Sequence, residues 1–305
     1  MKFPLSKYIW FDGKLVHVNM AKVPVTTHAI HYGTSIFEGI RAYWNSKNLY
    51  VFRLKDHIKR FRNSGQFYNI ALNFSDKQIE NAVIDLCKKN KIKKSCYIRP
   101  FYFVGQYGIN LHVTQRAPTH TAIFSFPFGD LFNKNGISAT ISKWRKFSDL
   151  STPTQAKMSG NYLNSILATQ DAKQRGFDEA ILLDQSGNVS EAPGENIFLV
   201  KNNGLVTPPL SSSALDGITR KSIITLAKDM KLKIKVRKVS KKELRLADEI
   251  FLSGTAAEIT PIIRIDKKKI GSGKVGNITK LFMDTYSDIV MNKNGNHSYW
   301  LTVVY

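Results

Sequence analysis

Short β-patterned runs bounded by turn residues recur along this chain, and only a few amphipathic helical stretches interrupt them. That alternation constrains the fold most, because a period-2 pattern and a 3.6-residue pattern bury different faces. In the first half, strands are expected at Tyr8–Phe11, Leu15–Val18, Leu49–Arg53, Cys96–Val104 and Thr121–Phe126. Two helices fall among them. One runs from about Lys55 to Tyr68. The other starts at Ser75, where S-D-K-Q puts Ser75 and Gln78 at capping-box spacing ahead of the stripe Ile79, Val83, Leu86, Cys87. The second half predicts a strand at Ile137–Ser142 and a helix from about Asn161 to Arg175, closed by Gly176. Strands follow at Ala180–Leu183, Val189–Glu191, Ile197–Val200 and Leu205–Thr207, then a helix from Thr219 to about Met230. Strands at Ile234–Val239 and Glu249–Leu252 come next, and Asn277 is placed to cap a final helix. The class is α+β. The polar segment F-G-D-L-F-N-K-N-G, residues 128–136, reads as a connector between a domain at 1–127 and one at 137–305.

A chain of 305 residues can bury a sizeable core and is long enough for two domains. No apolar run approaches the roughly 20 residues that a membrane helix needs. The N-terminus, M-K-F-P-L-S-K-Y-I-W, lacks a long apolar leader and reads as unprocessed, hence cytoplasmic. Cys87 and Cys96 sit in apolar patterns without a C-x-x-C or zinc spacing, which points to buried thiols. Lysine and arginine number 45 against 23 acidic residues, a net charge of +22. The lysines are scattered or gathered at helix ends and turns, as at Lys88–Lys94 and Lys267–Lys269. No helix-turn-helix, RNP or zinc-finger pattern accompanies them, so a specific nucleic-acid partner is not expected. His28 and His31 in H-A-I-H lack a third ligand, and no metal is expected.

The chemistry concentrates in P-T-Q-A-K-M-S-G-N-Y, residues 153–162. It sets Lys157 on a short connector and Tyr162 near a helix start. A lysine that is buried or beside another cation loses proton affinity and can condense with an aldehyde. Glu191, in E-A-P-G-E-N-I-F, is a carboxylate suited to a pyridine nitrogen. No P-loop is present, but two other phosphate cradles are. G-I-T-R (Gly217, Ile218, Thr219, Arg220) opens a helix, whose N-terminal N–H groups attract an anion. S-G-T-A-A (Ser253 to Ala257, with Gly254 and Thr255) follows a strand with small residues and a hydroxyl. Arg60 could add a bidentate cation. Together these suit a pyridoxal 5'-phosphate enzyme.

Six segments then occur in order: H-Y-G-T-S-I-F-E-G-I-R-A-Y, Y-I-R-P-F, A-K-M-S-G-N-Y, S-E-A-P-G-E-N-I-F, T-P-P-L-S-S-S-A-L-D-G-I-T-R and S-G-T-A-A-E-I-T-P. From about Tyr8 to Leu281 the chain resembles the fold-type IV (class IV) pyridoxal-phosphate aminotransferases, specifically bacterial branched-chain amino acid aminotransferases. The resemblance implies a smaller α/β N-terminal domain, a larger pseudo-barrel domain and a cofactor between them. It makes Lys157 similar to the internal-aldimine lysine, Glu191 to the pyridine-nitrogen acid and Tyr162 to the partner of the phenolic oxygen. Arg60, Gly217, Ile218, Thr219, Gly254 and Thr255 match the phosphate cradle. Tyr97, with the backbone N–H groups of Thr255 and Ala256, matches the α-carboxylate site. Tyr32, Phe37 and Phe128 resemble walls of the side-chain pocket, and Arg99 the partner of glutamate's distal carboxylate.

The implied reaction is ping-pong transamination between L-leucine, L-isoleucine or L-valine and 2-oxoglutarate. The implied assembly is at least a homodimer, with hexamers known in the group. D-amino acid aminotransferases and aminodeoxychorismate lyases share the cofactor, but F-E-G-I-R-A-Y, Y-I-R-P-F and the chain length favour the branched-chain enzymes. Three positions depart from the pattern. Pro193 stands where a small residue is usual, and Phe128 and Leu131 replace a common tryptophan and tyrosine.

Overall fold

The computed structural model describes residues 5–305; the first four residues of the segment read above as unprocessed lie outside the described residues. Two compact units emerge. Among the described residues, 5–129, 156–160 and 288–305 form the first, and 130–155 with 161–287 form the second. The change near residue 129 falls inside the polar 128–136 segment, while the short piece carrying Lys157 and the C-terminal residues cluster with the first unit.

The first unit is built on β1 (Tyr8–Phe11), β2 (Lys14–His17), a short helix α1 (His28–Tyr32), β3 (Ser35–Phe37), β4 (Ile40–Trp44) and β5 (Leu49–Phe52). Helices α2 (Leu54–Gln66) and α3 (Asp76–Lys89) follow, then β6 (Cys96–Val104) and β7 (Thr119–Pro127). All strand pairs of its sheet are antiparallel, in the order β5-β4-β6-β7-β1-β2, with β3 on β6 and the chain's last strand, Leu301–Val303, on β5. The capping box forms as expected: Ser75 accepts from the Gln78 N–H and Gln78 from the Ser75 N–H. Ile58 and Phe61 of α2 and Ile79, Val83 and Leu86 of α3 form a core with Ile98, Tyr102 and Ile123 of the sheet. Alternation along β6 sends Cys96, Ile98, Tyr102 and Val104 into that core. The intervening Tyr97, Arg99, Phe101 and Phe103 go to the opposite face.

The second unit contains β8 (Ile137–Arg145), α4 (Tyr162–Gln174), β9 (Glu179–Leu183), β10 (Asn196–Lys201), β11 (Gly204–Thr207), α5 (Ile218–Asp229) and β12 (Ile234–Val236). It continues with α6 (Lys241–Leu246), β13 (Glu249–Gly254), β14 (Glu258–Ile265) and β15 (Lys268–Lys269); α7 (Asn277–Val290) is the last helix. Its sheet runs β12-β11-β10-β13-β14-β8-β9, with β15 on β14. It is mixed: β8 pairs in parallel with both β9 and β14, and β11 with β12. Ile181, Leu183, Ile197, Leu199, Leu252 and Ile262 fill one core, while Ala168 and Ala172 of α4 pack on Ala180 and Leu182. With two sheets and separate helices, the α+β class holds. No helix among the described residues is long and apolar enough to cross a membrane.

Three local expectations are corrected. Val189–Glu191 is not a regular strand. Only isolated bridges, Leu183 with Val189 and Asn188 with Ser240, hold it, because its N–H and C=O groups pair irregularly with Leu182 and Val239. The strand expected at Ile234–Val239 stops at Val236. Asn277 does not cap the final helix but begins it. The cap comes from a distant strand: Glu249 accepts from the N–H groups of Ile278 (3.1 Å) and Thr279 (2.7 Å) and from the Thr279 hydroxyl (2.7 Å). A carboxylate at a helix N-terminus also opposes the positive end of the dipole. Glu249→Ala should therefore cost about 1–2 kcal/mol, read as a lower midpoint in denaturant unfolding; a midpoint unchanged from the parent protein would refute the cap.

Candidate active site

In the first unit the functional side chains gather around a carboxylate with no contact with water. Glu38 follows β3 and is fully buried. Its Oε1 accepts from Arg60 Nε at 2.6 Å, and its Oε2 from Arg60 Nη2 at 2.9 Å and His57 Nδ1 at 2.7 Å. Burial alone would raise the Glu38 pKa, but Arg60 and His57 outweigh it and hold the carboxyl far below its ordinary value. His57 is pushed down by burial, against the pull of Glu38 and with help from Arg60 and Lys157, so it stays neutral and donates through Nδ1. Three residues of α2 thus serve one purpose. His57 and Arg60 hold Glu38, and the Ser64 hydroxyl accepts from the Lys157 N–H at 3.0 Å.

Lys157 lies beside β3, where its carbonyl accepts from the Phe37 N–H at 3.2 Å. Its Nζ stands over the Phe37 ring, 4.8 Å from the centroid. Burial is the largest influence on its pKa and Arg60 the next; together they outweigh Glu38 and Tyr97 and bring it down to about 8. A lysine so poised offers a free amine near neutral pH, the property a carbonyl-capturing nucleophile needs.

Arg99 approaches the same Phe37 ring, 4.6 Å from its centroid, and donates from Nη2 to the Tyr97 hydroxyl at 3.3 Å. The buried Nε of Arg99 meets no hydrogen-bond partner among the described residues. Tyr97 stacks on Phe126 and tilts against Phe128, each with centroids 5.3 Å apart, and Arg41 lies 5.2 Å from the Phe128 centroid. Gly39 makes this packing possible, because a Cβ there would lie 1.8 Å from the Tyr97 hydroxyl. Phe37, Tyr97, Arg99, Phe128, Arg60 and Lys157 are therefore brought together. Tyr32 is not among them: it sits exposed on α1, its ring 4.5 Å from that of His28 and its hydroxyl 3.5 Å from the Ile109 carbonyl. The His28 ring nitrogens are engaged by Thr34 and by the Asn110 carbonyl.

The second unit organises Glu191 in the same manner. Its Oε1 pairs with Lys146 Nζ at 2.7 Å, and its Oε2 accepts from Asn196 Nδ2 at 3.0 Å and the Leu215 N–H at 2.9 Å. Gln155 clamps the loop that carries Leu215, donating to the Ala214 carbonyl and accepting from the Asp216 N–H. Gly217 is the N-cap of α5 and supplies no side-chain cap to it. A Cβ at Gly217 would lie 1.9 Å from Asn196 Oδ1, so the glycine also keeps the Glu191 support in place. Ile218 and Thr219 form the buried first turn of α5. Tyr162 is the first residue of α4. Gly254 ends β13, and Thr255 and Ala256 lie half-buried in the turn to β14. A helix N-terminus whose N-cap is a glycine, small residues around it and an oriented carboxylate suit a phosphorylated pyridine ring.

Sequence reasoning missed Glu38, His57 and Lys146. Glu38 lay within the F-E-G-I-R motif, but a lone lysine such as Lys146 carries no signal in a lysine-rich chain.

Comparison with known proteins gives a consistent picture. Residues 35–265 match the family described as amino-transferase class IV. The branched-chain-amino-acid aminotransferase of Salmonella typhimurium is 41% identical over 303 residues, 98% of each chain. The crystal structure of a branched-chain aminotransferase from Thermoproteus uzoniensis with norvaline matches with a TM-score of 0.95 at 41% identity, covering 98% of this chain and 100% of that one. The crystal structure of the Escherichia coli branched-chain amino acid aminotransferase matches with a TM-score of 0.95 at 40% identity, covering 98% of this chain and 100% of that one.

Two outcomes test the geometry around Lys157. Labelling of its amine by a small aldehyde plus reductant, followed by peptide mass mapping, should rise with pH and level off above about 8. A rate still climbing toward pH 10 would refute the depressed amine. Glu38→Gln, which leaves Arg60 without its buried counter-charge, should destabilise the protein by about 3–5 kcal/mol. The paired Glu38 carboxylate has a depressed pKa, so this difference should persist at neutral pH and shrink only under strong acidification.

Proposed function

The chain belongs to the class IV aminotransferases, and from that premise we propose that it moves an amino group between L-leucine, L-isoleucine or L-valine and 2-oxoglutarate. The reaction runs as two alternating half-reactions on pyridoxal 5'-phosphate. The observation that carries this reading is Lys157, an amine lowered to about 8 beside Arg60, Phe37 and Arg99. Its relatives' shared name supplies the substrate class.

The residues fit the cofactor. The α5 N-terminus at Gly217, Ile218 and Thr219, where the N-cap is a glycine, suits the phosphate. Gly254 and Thr255 would add small residues and a hydroxyl, and Arg60 a cation. Glu38 occupies the Nε–Nη2 edge of Arg60 and holds the guanidinium in a fixed orientation. Glu191 would accept the pyridine N–H, and Tyr162 would meet the phenolic oxygen. When bound, pyridoxal phosphate supplies an aldehyde and an electron-withdrawing ring.

Lys157 would hold the cofactor through its Nζ, the lowered amine being suited to an aldehyde. With a substrate amine in its place, the same Nζ would be the group that carries a proton to and from the substrate α-carbon. Tyr97 and the N–H groups of Thr255 and Ala256 would hold the α-carboxylate. Phe37 and Phe128 would wall the side-chain pocket, while Tyr32, exposed on α1, stands apart from them. Such a pocket must admit an apolar chain and a carboxylate in turn, and an unpaired charge in apolar surroundings costs several kcal/mol. Arg99, with its unpartnered Nε, is the proposed partner of that second carboxylate.

A second copy of the chain is the proposed partner. On the face of the first sheet opposite α2 and α3, Ile9, Phe11, Phe101, Phe103 and Phe124 line an apolar groove together with Ala29 and Ile30 of α1, and Ile30, Ile109 and Leu111 are exposed. Apolar area of this kind marks association surfaces. The proposed setting is the cytoplasm.

Borohydride reduction of the cofactor-loaded protein should place the pyridoxyl group on Lys157, and Lys157→Ala should abolish transamination. Label on another lysine would overturn the assignment. L-leucine should be consumed with 2-oxoglutarate and D-alanine should not. Arg99→Gln should raise KM for 2-oxoglutarate at least tenfold while that for leucine changes little; equal losses would remove Arg99 from its role.

A further inference from the structure

Lys146 is a buried cation for which the reaction just described has no use. It follows β8, and its backbone is fixed at both ends: its N–H donates to the Leu183 carbonyl at 2.9 Å, and its carbonyl accepts from Gln185 Nε2 at 2.8 Å. The side chain is 14% exposed and meets Glu191, whose own side chain is 5% exposed. Burial disfavours the ammonium, but Glu191 more than offsets this, with a smaller contribution from Tyr162, and the Lys146 pKa is raised.

A carboxylate accepts about four hydrogen bonds. Lys146, Asn196 and Leu215 supply three donors to Glu191, which leaves about one acceptor direction for a further N–H. Two of those donors are neutral, and only Lys146 brings a charge into direct contact. Arg220 of α5 acts on Glu191 through space, but its Nη2 donates to the Pro208 carbonyl, and Asp216 pulls on it as well. A protonated Glu191 would turn one acceptor into a donor and could not receive a pyridinium proton.

We propose that Lys146 is a positioning residue for the ring-nitrogen contact, holding Glu191 as the carboxylate, with Oε1 in place, before the cofactor arrives. This inference rests on the assignment of Glu191 to the pyridine nitrogen. Without Lys146, a buried carboxylate with neutral donors takes up a proton more readily. A cofactor arriving with its ring nitrogen protonated would then have to expel that proton on binding.

The test is the dissociation constant of pyridoxal phosphate for cofactor-depleted protein, followed by absorbance between pH 6 and 8. The variants are Lys146→Met, Lys146→Gln, Lys146→Arg and the double variant Lys146→Met with Glu191→Gln. Each is divided by the parent protein, which cancels the pH dependence of Lys157 itself. For Lys146→Met the ratio should be largest at pH 6 and fall with rising pH, by up to about tenfold per pH unit. Lys146→Gln should behave alike and carries the test if the Met variant does not fold. Lys146→Arg should stay near the parent at every pH, and the double variant should give a flat ratio, having no carboxyl left to titrate. A flat ratio for the Met and Gln variants, or an Arg variant that follows them, would overturn the role of Lys146. A parent protein that takes up no cofactor would instead overturn the functional reading.

Discussion

A carboxylate removed from water must find cations and N–H donors, and Glu38 meets that demand close enough to Lys157 to act on its charge. It is fully buried and engaged by Arg60, His57 and the N–H of Gly39. Because Arg60 and His57 belong to α2 while Glu38 joins β3 to β4, the helix and the sheet are locked in one register. The same helix receives the Lys157 backbone through Ser64. Loss of the buried charge would release the helix, its Arg60 and the lysine together. That is why one interaction can govern both stability and reactivity.

The second unit repeats the device with different residues. Glu191 is buried, tied to one cation and braced by two neutral donors. In each unit the charge is compensated at short range, so neither carboxylate depends on the net charge of +22 carried by the whole chain. The surface lysines are separated from these groups by protein and solvent, and screening over about 10 Å leaves them little influence. Around Lys157 the balance is different. Burial, Arg60 and Arg99 oppose its protonation and outweigh Glu38 and Tyr97, which favour it. The surplus of positive charge lowers the amine and at the same time suits a phosphate and a carboxylate as guests.

Much of this was legible in the chain because it depends on local pattern. The capping box at Ser75, the period-2 run Cys96–Val104 and the glycine closing α4 are all short-range signals, and they held. The ordered motifs named Lys157, Arg99, Tyr97 and Phe37, and the first helix named Arg60; the first unit brings these side chains close to one another. Val189–Glu191 misled because an apolar run beside turns resembles a strand, whereas its pairing is irregular. The cap of α7 was invisible, since its donor of negative charge, Glu249, is nearly thirty residues upstream on β13.

The sequence by itself determined which side chains alternate on β6, where helices could start, and that a lysine, a carboxylate and two small-residue turns were available for one cofactor. Hydrophobic periodicity, capping and backbone freedom act over a few residues, so a linear reading can see them. Only the tertiary structure decided which lysine pairs with Glu191 and which arginine clasps Glu38. Burial and charge compensation are properties of neighbours in space, and residues such as Lys146 and Glu191, forty-five positions apart in the numbering, become neighbours only through the fold.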